Sequence, residues 1–171
     1  MATQRPTSRN RILAAAADVA RESGPGSLSL DAVAARAGVS KGGLLYNFPS
    51  KAALLRGLVE DHLAAFEAAL EAATGDGDSL VAAYVRLSIR ECEDVGTAAA
   101  WLFTAMAEDP DFMEPIRVYK RRLLDRLLAE APDRTALLTL FLALEGLRSL
   151  TLFKLDILSD EERGAVLAAL A

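Results

Sequence analysis

No stretch of this chain longer than six residues alternates apolar and polar residues with the period of two expected of a half-buried strand. Apolar residues recur instead at three- and four-residue steps along almost all of it. That property restricts the fold to packed helices. Composition supplies the reason: alanine and leucine account for 62 of the 171 residues. Both lose little conformational freedom in a helix, while the β-branched and aromatic residues that favour sheet are scarce. With 52% of the chain apolar, there is enough to bury a real core and too much for disorder. The single cysteine, Cys92, has no disulfide partner and reads as a small buried hydrophobe suited to a reducing compartment. The longest charge-free run, Val95 to Ala107, is thirteen residues, short of the ~20 that cross a bilayer. The polar, basic first eleven residues have no apolar segment behind them, so no secretory signal is expected. The expectation is a soluble, cytoplasmic protein with no membrane partner.

Punctuation by glycine, proline and capping residues divides the chain into about nine helices. The first runs from Ser8 to Ser23 and stops at Gly24-Pro25-Gly26-Ser27. Ser29 caps a short helix from Leu30 to Ala37 with Asp31 in its first turn, and Ser40 caps another from Lys41 to about Asn47. A long fourth helix runs from Lys51 to about Ala73, and further helices are expected near 79–94, 97–108, 110–130, 133–153 and 160–170. The predicted fold is all-α: a three-helix head over 1–50, then a body over 51–171 that begins with the long helix. Charge follows nearly the same division. Residues 1–56 carry a net +5 and residues 57–171 a net −10. A basic head on an acidic body assigns any polyanionic partner to the head.

The head carries a motif. Two short helices joined by Gly38-Val39-Ser40 form the helix-turn-helix pattern. Gly38 can take the positive φ that ends the first helix, and Val39 can plug the angle between the two. Val33, Ala34 and Leu44 close a small core, while the small Ala35 and Ala37 keep the helices near one another. Ser40, Lys41, Gly42 and Gly43 then stand at the exposed start of the second helix, where free N–H groups favour phosphate. Lys41 adds a charge there or reaches a guanine edge. Gly42 and Gly43 cost about 1 kcal/mol each against alanine, a cost that close approach to DNA would justify. Lys51, at a helix start whose dipole prefers anions, resolves that conflict by holding a phosphate.

The run SLSLDAVAARAGVSKGGLLYNFPSKAALL, together with the preceding Arg9-to-Ala15 segment, resembles the DNA-binding head of the tetracycline-repressor family of transcriptional regulators. The resemblance covers residues 9–56; beyond them it is one of architecture only. It implies a helical ligand-binding and dimerisation body after the head, and DNA contacts at Ser29, Ser40, Lys41, Gly42, Gly43, Leu45, Tyr46, Asn47 and Lys51. Where the family often has two aromatics and a histidine, this chain has Leu45, Tyr46 and Asn47. Leu45 offers apolar contact to a thymine methyl, and Asn47 can donate to a phosphate.

The body offers less chemistry. Its aromatics and methionines, Phe66, Tyr84, Trp101, Phe103, Met106, Phe112, Met113 and Tyr119, form either an ordinary core or the lining of an apolar ligand cavity. The basic run Arg117, Lys120, Arg121, Arg122 and Arg126 reads as a solvated face paired with Asp125 and neighbouring acids. One histidine, one cysteine and no phosphate-loop, nucleophile-elbow or dinucleotide signature argue against an enzyme, a metal site or a cofactor. Residues 135–144 contain no charge. Leu137, Leu140, Phe141, Leu144 and Leu147, with Val166, Leu167 and Leu170 of the last helix, are therefore the expected homodimer surface. The expected partners are a double-stranded DNA operator, a second copy and a small apolar or amphipathic ligand. The alternative is a helical carrier or adaptor that does not bind DNA.

Overall fold

The computed structural model describes residues 7–23, 28–94, 109, 111–153, 155 and 157–170, and no strand occurs among them. Eight helices are described: α1 (Ser8–Ser23), α2 (Leu30–Ala37), α3 (Lys41–Asn47), α4 (Lys51–Gly75), α5 (Leu80–Asp94), α6 (Glu114–Glu130), α7 (Arg134–Leu152) and α8 (Asp160–Leu170). The all-α expectation holds, and the helix expected over 97–108 lies outside the described residues. The helix expected from 110 starts later, at Glu114, because residues 111–113 form a turn. Pro115 then occupies the first helical turn, where its missing N–H costs nothing.

The described residues fall into two compact units. The first contains residues up to His62 together with Asp109 and 111–115; the second contains Leu63 to Asp94 and the residues from Ile116 onward. Helix α4 runs through both.

In the first unit, Ile12, Leu13, Ala16 and Val19 of α1 are buried together with Val33, Ala34, Leu44, Phe48, Leu54 and Leu55. Gly38 has φ +64° and closes α2. Its N–H donates to the Ala35 carbonyl at 3.2 Å, and that of Val39 to the Ala34 carbonyl at 3.1 Å. This paired closure satisfies the last carbonyls of α2 and aims the chain at α3. Of the two alanines expected to hold the helices close, only Ala37 is buried; Ala35 faces solvent.

The tightest approach in this unit involves Gly57. A Cβ there would lie 2.7 Å from Phe48 Cε1 and 3.3 Å from Leu13 Cδ2. The buried Phe48 ring also lies beneath the Arg9 guanidinium, 5.1 Å from the ring centroid. Arg56 pairs with Asp109, whose Oδ1 accepts from the Asp111 N–H at 3.1 Å. Phe112 is buried.

The second unit packs Leu70, Leu80, Tyr84, Leu123, Leu127, Leu137, Phe141 and Leu144 into one core. The Tyr84 and Phe141 rings stack with centroids 5.7 Å apart. Asp133 caps α7, accepting from the N–H groups of Thr135 and Ala136 at 2.9 and 3.0 Å. By length and composition α7 could cross a membrane. Here its Leu137, Phe141, Leu144 and Leu147 are buried, and its Glu145 and Arg148 are ion-paired within the unit. No residue of α8 is fully buried. Its start is a reciprocal cap: Ser159 Oγ accepts from Glu162 N–H at 3.2 Å, and the Glu162 carboxylate accepts from Ser159 N–H at 2.8 Å. Those hydrogen bonds from Ser159 hold the Glu162 carboxyl below its ordinary pKa. Arg163 fastens the helix by donating to the Cys92 carbonyl at 2.6 Å and to Thr151 Oγ1 at 3.0 Å.

Helices α4 and α6 meet at Glu67, which accepts from Tyr119 Oη at 2.9 Å and from Arg126. Burial pushes the Glu67 pKa up, but the hydrogen bonds from Arg126 and Tyr119 outweigh it and hold the group below its ordinary value. A depressed carboxyl stabilises the fold above its unfolded pKa, and that contribution is lost as pH falls through the folded value.

Two outcomes are expected. Gly57→Ala overpacks the Phe48 contact and lowers stability by about 1–3 kcal/mol, measurable as a lower denaturant midpoint. Glu67→Gln is less stable than the parent at neutral pH but loses less further stability between about pH 5 and 3, measured as urea midpoints against pH.

Candidate nucleic-acid interface

Every residue that the sequence assigned to DNA contact lies in the first unit, at the starts of α2 and α4 and along α3. Ser29 caps α2 through a 3.0 Å bond from Ala32 N–H, and Ser40 caps α3 through a 3.1 Å bond from Gly43 N–H. Each hydroxyl accepts from its helix and keeps its own proton to donate outward. Ser50 does the same for α4, accepting from Ala53 N–H at 3.0 Å. Lys51 follows it as the first helical residue, with no acid in that turn. Among the described residues no carboxylate pairs with Lys51, so its charge is available to a phosphate.

The outer surface of α3 divides into positions the fold needs and positions it does not. Leu44 is fully buried and anchors the helix. A Cβ at Gly43 would sit 3.3 Å from Ser40 Oγ, so glycine there protects the cap. A Cβ at Gly42 would meet nothing nearer than 4.0 Å. Nothing inside the chain requires that glycine, and an outside surface that approaches the backbone would. Tyr46 is 91% exposed and Leu45 is also on the surface.

Two of these side chains have partners within the head. Asn47 Nδ2 turns back and donates to the Gly43 carbonyl at 2.8 Å, helping to close α3 and leaving its second N–H available. Lys41 Nζ lies 2.9 Å from Asp31 Oδ1. The partner sits ten residues earlier, across the turn, and spacing alone gave no signal of it.

In the body, Phe66, Tyr84 and Tyr119 belong to one core. Phe112 and Met113 belong to the first unit, the former buried and the latter exposed. Trp101, Phe103 and Met106 lie outside the described residues. Ser88, which the sequence did not single out, is completely buried. Its Oγ and the buried Tyr84 Oη lie close enough to influence each other, and among the described residues neither has a well-formed hydrogen bond. Burial strongly raises the Tyr84 pKa, keeping the hydroxyl protonated and able to donate. The basic face of α6 is largely occupied: Arg121 pairs with Asp125, Arg126 with Glu67, and Arg122 lies over the Tyr119 ring. That face borders a shallow groove of about 530 Å³ lined by Arg117, Val118, Arg121, Arg122, Asp125, Arg126 and Ala129.

Of the expected dimer residues, Leu137, Phe141, Leu144 and Leu147 are buried in their own unit, and Leu140, Val166, Leu167 and Leu170 are half-buried. The outward residues of α7 include Leu138, Thr139, Leu142 and Gly146, with Leu142 67% exposed.

Residues 12–58 match the bacterial regulatory proteins of the tetR family, and residues 78–171 match the tetracyclin repressor-like C-terminal domain. The chain belongs to the tetracycline-repressor family. It is a DNA-binding transcription regulator. Among solved structures it is similar to SCO7518 of Streptomyces coelicolor A3(2), assigned as a transcriptional regulator. That similarity has 28% identity over 97% of both chains and a TM-score of 0.67. It is also similar to the multidrug binding protein EbrR, solved in complex with imidazole. Here identity is 26% over 96% of this chain and 95% of that one, with a TM-score of 0.57. NalD, the secondary repressor of the MexAB-OprM multidrug efflux pump in Pseudomonas aeruginosa, shares the fold. Its identity is 20% over 95% of this chain and 93% of that one, with a TM-score of 0.57. No curated protein sequence matches the chain.

Tyr46→Ala and Lys51→Ala are expected to weaken DNA binding, and Lys51→Ala alone to lower the dependence of log affinity on log salt by about one phosphate's share, because only the lysine carries a charge that displaces a counterion. Tyr46 buries almost nothing, so its replacement leaves stability within about 0.5 kcal/mol. Fluorescence anisotropy across a salt series, beside thermal melts, checks both.

Proposed function

We propose that the protein is a homodimeric repressor that binds an inverted-repeat operator in the cytoplasm and is released by a small ligand held in its helical body. The observation that carries the dimer is the outward face of α7. Its inner residues fill the unit's own core, while Leu138 and Leu142 stay exposed on a helix whose central stretch has no charge. Exposed leucines in that setting favour a second apolar surface. One short recognition helix reads too few base pairs to be specific. A twofold dimer doubles the reading and imposes its symmetry on the operator.

Support for the ligand comes from the buried hydroxyls of Tyr84 and Ser88, which lie near each other and make no well-formed hydrogen bond among the described residues. Leaving such groups unbonded costs on the order of 1–3 kcal/mol each. A small molecule with one or two polar atoms on an apolar frame would remove that cost. The ligand-bound relative EbrR gives independent support for small-molecule binding in proteins of this shape. A ligand that lowers DNA affinity must bind the DNA complex correspondingly less tightly than the free protein. The protein acts through binding, and we assign it no catalytic step.

Selection of binding sites from random DNA with the purified protein is expected to return a sequence with twofold symmetry. Leu142→Glu is expected to yield folded monomers by sedimentation with greatly reduced operator affinity. Leu147→Glu, by contrast, places a charge in the core and is expected to unfold the body. A wild-type monomer at micromolar concentration, or a selected site without symmetry, would remove the dimeric reading.

A further inference from the structure

We propose that Asp31 is a specificity-determining residue of the head: by holding Lys41 in an ion pair, it turns the start of α3 from a phosphate clamp into a reader of a G·C base pair. This rests on the docking of α3 in the major groove that belongs to the helix-turn-helix reading.

Asp31 lies in the first turn of α2 and Lys41 in the first turn of α3, on either side of the Gly38 turn. Lys41 Nζ is 2.9 Å from Asp31 Oδ1 and 3.1 Å from Oδ2. The two side chains are 60% and 70% exposed, so the pair stands on the reading surface and contributes no packing. Exposed pairs of this kind add little to stability. The charge balance makes the position of Asp31 unusual. Residues 1–56 hold three acids against eight basic residues. The other two, Asp18 and Glu22, are on α1, and Glu22 is engaged by Arg36. Asp31 is thus the one acid of α2 and α3, beside the helix start through which α3 meets DNA.

An isolated lysine at that place would be drawn to the nearest phosphate regardless of sequence. The pair has no net charge, so that attraction is lost. Its hydrogen-bonding capacity is not. An ammonium has three protons, and the two carboxylate oxygens take at most two of them, leaving one to donate. Each carboxylate oxygen retains a lone pair. The unit therefore presents a donor beside an acceptor. On the major-groove edge of a G·C pair, the guanine O6 and N7 accept and the cytosine N4 donates. Lysine is suited to the first and aspartate to the second. Both halves of the pair point to the same base pair, and a phosphate near Asp31 is repelled.

The test is a binding-site selection with the full-length protein, followed by titration of the selected duplex and its single base-pair variants. Wild type, Asp31→Asn, Lys41→Ala and the double variant are compared. Wild type is expected to require G·C at one position per half-site, with about tenfold weaker binding when it becomes A·T. Asp31→Asn is expected to abolish most of that preference, to raise affinity for unrelated duplex severalfold at low salt, and to steepen the salt dependence by about one released counterion. In the Lys41→Ala background the same change should do neither. Asp31→Glu keeps the charge and should keep the preference, which separates recognition from any effect on the first turn of α2. Thermal melts confirm folding, and Asp31→Ser replaces Asp31→Asn if the latter is unstable. An Asp31 variant with unchanged base preference, or a selected site without a Lys41-dependent G·C position, overturns the proposal. A wild-type protein that binds no DNA overturns the helix-turn-helix reading instead.

Discussion

The contact between the Phe48 ring and the bare backbone at Gly57 is the constraint on which the head depends. Phe48 ends α3, and its N–H still donates to the Leu44 carbonyl at 2.8 Å. Its ring is therefore held at a fixed place relative to the recognition helix. The ring packs so close to α4 that no Cβ fits at residue 57, and Leu13 of α1 crowds the same point. Burial of a phenylalanine is worth about 1.5–3 kcal/mol, and here that energy also locks the orientation of three helices. A looser fit would leave α3 attached only through the Gly38 turn and the Leu44 anchor. Because α4 continues unbroken for 25 residues, the helix that fixes α3 also enters the body.

The body is assembled on a different principle. Beneath its apolar core, carboxylates serve as shared acceptors between helices. Glu67 joins α4 to α6, while Glu145 takes both Lys120 of α6 and Arg148 of its own helix. Arg148 also reaches Glu91 on α5. Partly buried pairs contribute little net stability once desolvation is counted, but mispairing them is expensive, so they select one arrangement of helices. Burial raises the Cys92 thiol pKa, with the carboxylates of Glu91 and Glu145 adding to it and Arg148 and Arg163 only moderating it. That is the setting of an inert structural cysteine, as the sequence suggested.

Local signals were legible and long-range ones were not. Ser29, Ser40 and Gly38 announce helix ends through chemistry confined to four or five residues, and the structure puts each in its expected role. Leu44 was legible from periodicity for the same reason. Gly57 was not, because its requirement comes from a side chain nine positions away on another element. The Asp31–Lys41 pair and the inward turn of Asn47 were missed on the same ground: a side chain's partner is a tertiary fact. Among the aromatics, helical spacing could not say which unit each would join, and Phe112 and Met113 went to the head. On α7 an apolar circumference gave no indication of which leucines face inward.

The residues that fold the head and those proposed to meet DNA are almost disjoint sets. Leu44, Phe48 and Gly57 are enclosed and serve packing, whereas Gly42, Leu45 and Tyr46 are exposed. Mutational drift on the reading face therefore proceeds with little penalty in stability, and a lineage can acquire new operators without passing through unfolded intermediates. The same separation makes α3 a surface on which target preference can be rewritten by laboratory evolution, with the scaffold beneath it left unchanged.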